Sequence, residues 1–302
     1  KALGIVLNRS AELAEWDDSI LGDLLSELDG LDWDLDGLGW DAKDVDKLIG
    51  GQGTDGLTDA DDVPETAQNE FGVQLGDIWQ LGNHRLRCGD STNRVDVDAL
   101  MNGEKADMVF TDPPYGVSAV SKGGLVGIRN ICKPGVYKQI IGDDTTDTAE
   151  AVYKLCVGLE IPTLILWGGN YYSKFCPPTA CWIVWDKRGD MASNKFADCE
   201  LAWTNLSSPA RIYKQVWAGM IKEGETGKRV HPTQKPIALA EWCFESYGKP
   251  KSVLDLFLGS GSTLIACEKT GRKCYGMELD PHYCSVIIKR WQDFTGLVAR
   301  KL

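Results

Sequence analysis

The stretch from Ser252 to Glu278 constrains the fold of this chain more than any other. Ser252-Val253-Leu254-Asp255-Leu256-Phe257-Leu258 is apolar enough to be a buried strand. Gly259-Ser260-Gly261-Ser262-Thr263 follows as a turn, then Leu264-Ile265-Ala266-Cys267-Glu268 as a helix that Gly271 stops. A second strand, Lys273-Cys274-Tyr275-Gly276-Met277, ends at Glu278. Strand, glycine turn, helix, strand and acid is the layout of a nucleotide-binding βαβ unit. Glu278 comes 23 positions after Asp255, near the spacing of a ribose-binding carboxylate. A dinucleotide fingerprint has a third glycine where this chain has Leu264. That departure weakens a pyrophosphate reading and leaves an NAD reading open. S-adenosylmethionine (SAM) has no phosphate, and needs only glycines for close backbone approach and a carboxylate for its ribose hydroxyls.

A second block lies far upstream. Met108-Val109-Phe110-Thr111 leads into Asp112-Pro113-Pro114-Tyr115, which puts an acid, a rigid corner and an aromatic ring at the end of a strand. Alone, such a block is as often an ordinary strand-to-loop turn. As chemistry it suits methyl transfer to the exocyclic amine of a nucleobase, whose lone pair is delocalised into the ring. The Asp112 carboxylate and the Pro113 carbonyl can accept the two N–H bonds and turn the lone pair outward. Pro113 and Pro114 fix φ and so set the carbonyl direction. Tyr115 offers a flat face to a base taken out of the stack.

A third block, His231-Pro232-Thr233-Gln234-Lys235-Pro236, precedes a helix expected over 237–247. As a lone motif it reads as a surface turn. As a site, Thr233 and Lys235 suit a carboxylate, aided by the helix N-terminus.

With the three blocks in this order, the chain resembles the permuted, or β-class, amino-group DNA methyltransferases over about residues 73 to 296. The resemblance implies a Rossmann-like α/β sheet with helices on both faces and a circularly permuted motif order. It also implies SAM as cofactor, double-stranded DNA as partner, and base flipping. Asp112, Pro113, Pro114 and Tyr115 are then catalytic. Asp90, Asp112, His231, Thr233, Lys235, Asp255, Phe257, Gly259, Gly261, Ser262, Thr263 and Glu278 bind the cofactor. Asp90 enters through the resemblance, which puts it on the adenine of SAM; from the residues alone Gly89-Asp90 is a turn. Aspartate at the first catalytic position favours N6 of adenine over N4 of cytosine. A protein-glutamine N5-methyltransferase would favour asparagine there, and a silent SAM- and DNA-binding regulatory module would not need intact blocks. Homodimerisation accompanies the resemblance, as does a role in restriction–modification or in a phage.

Net charge is −12, which looks wrong for a DNA binder until it is divided. Residues 1–70 hold 19 acids against 4 bases, and the remainder holds 25 acids against 28 bases. Phosphate contact needs a local basic face rather than a basic whole. Residues 1–64 are expected to be an acidic helical extension and linker, with 65–302 as the methyltransferase domain. An apolar stripe at Leu21, Leu24, Leu25 and Leu28 marks one helix, and Asp41 caps a second carrying Val45, Leu48 and Ile49. Asn8-Arg9 and Glu15-Trp16-Asp17 resemble the tail that follows a ParB-like domain in phage and prophage enzymes, which implies an upstream domain. The extension reads either as a docking arm or as a solvated appendage.

DNA recognition is expected within 117–230. Lys122 and Arg129 lie on a glycine-containing loop, Lys187 and Arg188 follow a strand, and Arg211 and Lys214 stand among aromatics on a stretch (211–229) whose glycines suggest a loop. Leu164-Ile165-Leu166-Trp167 and Cys181-Trp182-Ile183-Val184-Trp185 read as central strands. Most of the tryptophans between 167 and 217 are expected in the core. Ten scattered cysteines without a C-x-x-C pair, and only three histidines, point to no metal site and to apolar cysteines in a reducing cytoplasm. No apolar run is long enough for a membrane span.

Overall fold

Apolar residues at alternate positions of short strands build one ten-stranded sheet in the computed structural model, which describes residues 53–64, 66–114, 145–191, 197–218, 221–222 and 234–302. Its strands are β1 (Ile78–Leu81), β2 (His84–Cys88), β3 (Met108–Thr111), β4 (Thr163–Trp167), β5 (Ile183–Asp186), β6 (Cys199–Thr204), β7 (Arg211–Lys214), β10 (Ser252–Asp255), β11 (Lys273–Glu278) and β12 (Arg300–Lys301). A separate hairpin pairs β8 (Trp217–Ala218) with β9 (Ile221–Lys222). The sheet order is β12-β1-β2-β11-β10-β3-β4-β6-β5-β7. The block from β2 through β11, β10 and β3 to β4 is parallel. Antiparallel pairs flank it on both sides.

Parallel strands need long crossovers, and these put helices on both faces. Among the described residues the α-helices are α1 (Arg94–Met101), α2 (Asp147–Gly158), α3 (Ile237–Ser246), α4 (Ser262–Lys269) and α5 (Pro281–Thr295). Two separate cores result. Met108, Phe110, Ile165, Trp167, Val253 and Cys274 face α3, α4 and α5. Val109, Leu164, Leu166, Leu254, Tyr275 and Met277 face α1 and α2. The one-residue alternation between the two sets is the strand period itself. Each fully buried Leu or Ile in these layers contributes about 1.5–3 kcal/mol of transfer free energy. Helix ends are locally encoded: Asn93 accepts from the Val95 amide at the start of α1. Asp280 accepts from the His282 amide, Pro281 opens α5, and Gly296 closes it at φ 75°.

The structure differs from the sequence reading in four places. β10 stops at Asp255, because its side chain accepts from the Phe257 amide and turns the chain. β5 is not central but second from the β7 edge; its buried side chains, Ile183 and Trp185, alternate with half-buried ones. The stretch from Arg211 opens with a strand and carries the β8–β9 hairpin, despite its glycines. α3 ends at Ser246, one residue short of the expected 247, which is its C-cap. The expected tryptophans do sit in the core: Trp167, Trp185, Trp203 and Trp217 are buried. Of nine described cysteines, all free, seven are buried.

The chain divides into two compact units, 1–53 and 54–302. The acidic helices and the ParB-like tail expected from the sequence lie outside the described residues. The second unit begins ahead of the expected 64/65 boundary because 54–64 is tied into it. The Leu57 amide donates to the Phe294 carbonyl at 2.7 Å, and the Arg290 guanidinium to the Ala60 carbonyl at 2.7 Å.

Candidate functional site

The chain leaves β3 at Asp112 and leaves neighbouring β10 at the glycine turn. From β10 the next parallel strand, β11, lies on one side; from β3 the next, β4, lies on the other. Open α/β sheets bind ligands in the crevice beyond the strand ends at such a reversal. A single cleft occupies that place, and Thr111, Asp112, Trp167, Lys235, Phe257, Gly259, Ser262 and Thr263 are among the residues lining it. Two blocks more than 140 positions apart therefore share one cavity.

Asp255 joins them. One of its oxygens accepts from the Thr111 hydroxyl at 2.7 Å and from the Phe257 amide at 3.0 Å. The other accepts from the Thr263 hydroxyl at 2.6 Å. Burial pushes this carboxyl up to about 6, and the Thr263, Phe257 and Thr111 donors restrain it. Thr111 immediately precedes Asp112, so Asp255 is a brace between the acidic corner and the start of α4. Thr263, also buried, serves the same brace. Gly261 caps α4 at φ 89°, a conformation that favours glycine.

Glu278 ends β11 beside the turn. Its two oxygens accept from the Gly259 and Asp280 amides, each at 2.9 Å. Burial pushes it up to about 7, and those amides restrain it. Asp90 lies close to it in the fold, because the Gly89 amide donates to the Glu278 carbonyl at 3.0 Å. Asp90 is exposed and accepts from the amide and hydroxyl of Thr92, the turn expected from its residues. Ser91 bonds the Leu256 carbonyl and so ties this edge to the β10 exit.

Lys235 reaches across the cleft. Its ammonium pairs with Asp112 and, at 3.3 Å, with Glu200 of β6, and it lies 5.4 Å from the centre of the Trp167 ring. Burial alone would lower this ammonium; the two carboxylates raise it instead. Burial alone would raise Glu200; Lys235 and Lys187 bring it down to about 2. The α3 N-terminus, expected to face a ligand, is already engaged. The Ile237 amide donates to the Asp61 carboxylate at 3.0 Å, and the Gln234 side chain to the Asp61 carbonyl at 2.8 Å.

Sequence reasoning missed Glu200, Asp61 and Ser91, whereas Tyr172 stands in the run 168–172 that the sequence places at the ligand end of β4. The buried Tyr172 hydroxyl lies 2.8 Å from the Trp167 carbonyl and 3.3 Å from that of Pro113, bracing the corner. Glu200 carried one signal, an acid inside the otherwise apolar run Cys199-Glu200-Leu201-Ala202-Trp203. Of the basic candidates, Lys187 pairs with Glu200 at 2.8 Å, and the buried Arg188 pairs with Asp198 at 2.8 Å. Arg211 and Lys214 are exposed on the edge strand β7. Tyr115, Lys122, Arg129, His231 and Thr233 lie outside the described residues.

Residues 180–290 match the family model described as DNA methylase, N6_N4_Mtase. The chain is similar to the Type II methyltransferase M2.LlaDCHI of Lactococcus lactis subsp. cremoris. The two are 25% identical over 228 residues, covering 62% of this chain and 82% of that protein. It is also similar to the putative methylase YubD of Escherichia coli K12, at 28% over 210 residues, covering 63% and 83%. Among solved structures, the cytosine-N4-specific PvuII DNA methyltransferase is 15% identical, with a TM-score of 0.46 and coverage of 70% of this chain and 87% of that one. A likeness of that degree carries no argument about chemistry.

Proposed function

We propose that this chain is a SAM-dependent DNA methyltransferase of the β class that methylates N6 of a flipped adenine in duplex DNA. The observation that carries the reading is the shared cleft between the Asp112 corner and the 255–263 turn at the reversal of strand order. The DNA methylase match and the methyltransferase relatives support it.

The residues present fit SAM. Glu278 stands as a hydroxyl acceptor at the end of β11 and the glycine turn permits close backbone approach, whereas Lys235, expected to hold a carboxylate of the cofactor, is engaged by Asp112 and Glu200. When bound, SAM supplies an activated methyl group. The chain's own residues do the rest. Tyr115 stacks on the extruded base, whose flipping costs about a few kcal/mol. Asp112 and the Pro113 carbonyl accept hydrogen bonds from the two amine N–H groups and aim the lone pair. Asp112 stabilises the positive charge that develops on the nitrogen. Alignment of this kind can contribute about 7–11 kcal/mol to lowering the barrier. The mechanism uses no covalent adduct with the base and no cysteine nucleophile.

Duplex DNA incubated with tritiated SAM and the chain, then digested to nucleosides for mass spectrometry, tests both levels of the reading. N6-methyladenine is expected. N4-methylcytosine would overturn the adenine assignment alone, and absence of DNA methylation would overturn the whole reading.

A further inference from the structure

Four charged side chains alternate across the floor of the sheet: Lys187, Glu200, Lys235 and Asp112. Lys235 is the most buried of them, with 11% of its side chain exposed, against 28% for Glu200 and 20% for Asp112. Its ammonium lies on the same carboxylate that the proposed reaction needs for the target amine. Such a pair obstructs the chemistry in two ways. It occupies an acceptor, and it sets a positive charge beside a nitrogen that becomes positive during transfer. A buried ammonium cannot simply be deserted by its counter-ion, because the stranded charge is strongly disfavoured. Asp112 can turn to a substrate only if another carboxylate retains Lys235.

Glu200 meets that need. It reaches Lys235 from β6, a strand outside all three sequence blocks, with one oxygen at 3.3 Å, while its other oxygen is anchored to Lys187 at 2.8 Å. The Trp167 ring, 5.4 Å from the ammonium, supplies a further favourable surface. We propose that Glu200 is a positioning residue for methyl transfer: it retains Lys235 while Asp112 releases it and accepts the target amine. The inference rests on the amino-methyltransferase reading and adds to it a switch of ion-pair partner on substrate entry.

The test uses the full chain, duplex DNA and saturating tritiated SAM, in single-turnover mode, with SAM affinity measured separately by calorimetry. Glu200→Gln keeps the shape of the side chain and removes its charge, so Lys235 is left with Asp112 as its one anionic partner among the described residues. The transfer rate should fall by about tenfold or more, while SAM affinity changes by less than about threefold. Adding Lys235→Met to Glu200→Gln removes the cation that holds Asp112. The double variant should then transfer faster than Glu200→Gln alone. A purely structural role for Glu200 would make the double variant no faster, and that result would overturn the proposal. Wild-type turnover by Glu200→Gln would overturn it as well. If the unaltered chain methylates no DNA, the functional reading and this inference fall together; if it does and the rescue is missing, only the inference falls.

Discussion

Asp255 accepts from two side-chain hydroxyls and an amide that tie β3, the β10 exit and α4 together, whereas Glu278 accepts from backbone amides of the glycine turn and the β11 exit. The two acids of the βαβ unit therefore do different work. Asp255→Asn turns an N–H₂ toward donors already pointing at it, and should destabilise the fold by about 1–3 kcal/mol in urea unfolding; an unchanged midpoint would contradict the brace. Glu278 is raised to about 7 by burial, so it is neutral below that pH and anionic above it. Ribose hydroxyls bond more strongly to the anionic acceptor. SAM affinity, followed by calorimetry from about pH 5.5 to about pH 8.5, should rise through neutrality and level off above it, and Glu278→Gln should flatten the rise. A flat profile in the unaltered chain would remove Glu278 from the ribose. Asp112→Ala should abolish methyl transfer and leave SAM affinity nearly unchanged, since Lys235 keeps Glu200 as a partner. Near-normal turnover in that variant would displace Asp112 from the chemistry.

At the scale of elements, Gly276 shows why β11 and the glycine turn act as one piece. It pairs with Asp255 across the sheet, and a Cβ built there would lie 2.4 Å from Cδ2 of the buried Leu258. Gly276→Ala should cost about 1–3 kcal/mol of stability by overpacking. It should also weaken SAM binding, because Leu258 directly precedes Gly259. Unchanged stability together with unchanged affinity would show that Leu258 yields freely. Local signals made these elements legible: the glycines and the acid of 252–278 marked α4 and β11 nearly to their ends, while the apolar run overshot β10 by the three residues after Asp255. Where local signals point the wrong way, the reading fails. Glycines after Arg211 suggested a loop, but β7 takes its conformation from hydrogen bonding to β5. The five-residue run ending at Trp185 looked central because it is apolar, but a strand next to the edge can bury as much on its covered face. The lone acid of β6 was unread because its partner, Lys235, arrives from a motif 35 positions later.

Strand order belongs to the whole molecule, and no local pattern encodes it. That β10 lies between β3 and β11 follows from pairings across about 145 positions, yet this single fact brings the two blocks into one cleft. Charge also has meaning only at this scale. The acids crowd into residues 1–70, and the remainder is mildly basic. Much of the base content within the described residues is consumed internally: Lys187, Arg188 and Lys235 all pair with carboxylates of the fold. Arg211 and Lys214 differ, since both are exposed on β7, where the sheet ends. Side chains three apart on a strand point to opposite faces, so under the proposed function these two would meet a phosphate backbone from either side of the edge. Each phosphate neutralised releases condensed counter-ions, and the slope of log affinity against log salt changes by about 0.9 per contact. Replacing both with alanine should therefore weaken duplex binding at low salt and flatten that slope by about 1 to 2 units, with SAM affinity untouched because neither residue lines the cleft. Fluorescence anisotropy of labelled duplex across a salt series measures it. A slope identical to that of the unaltered chain would move the DNA-binding face away from this edge of the sheet.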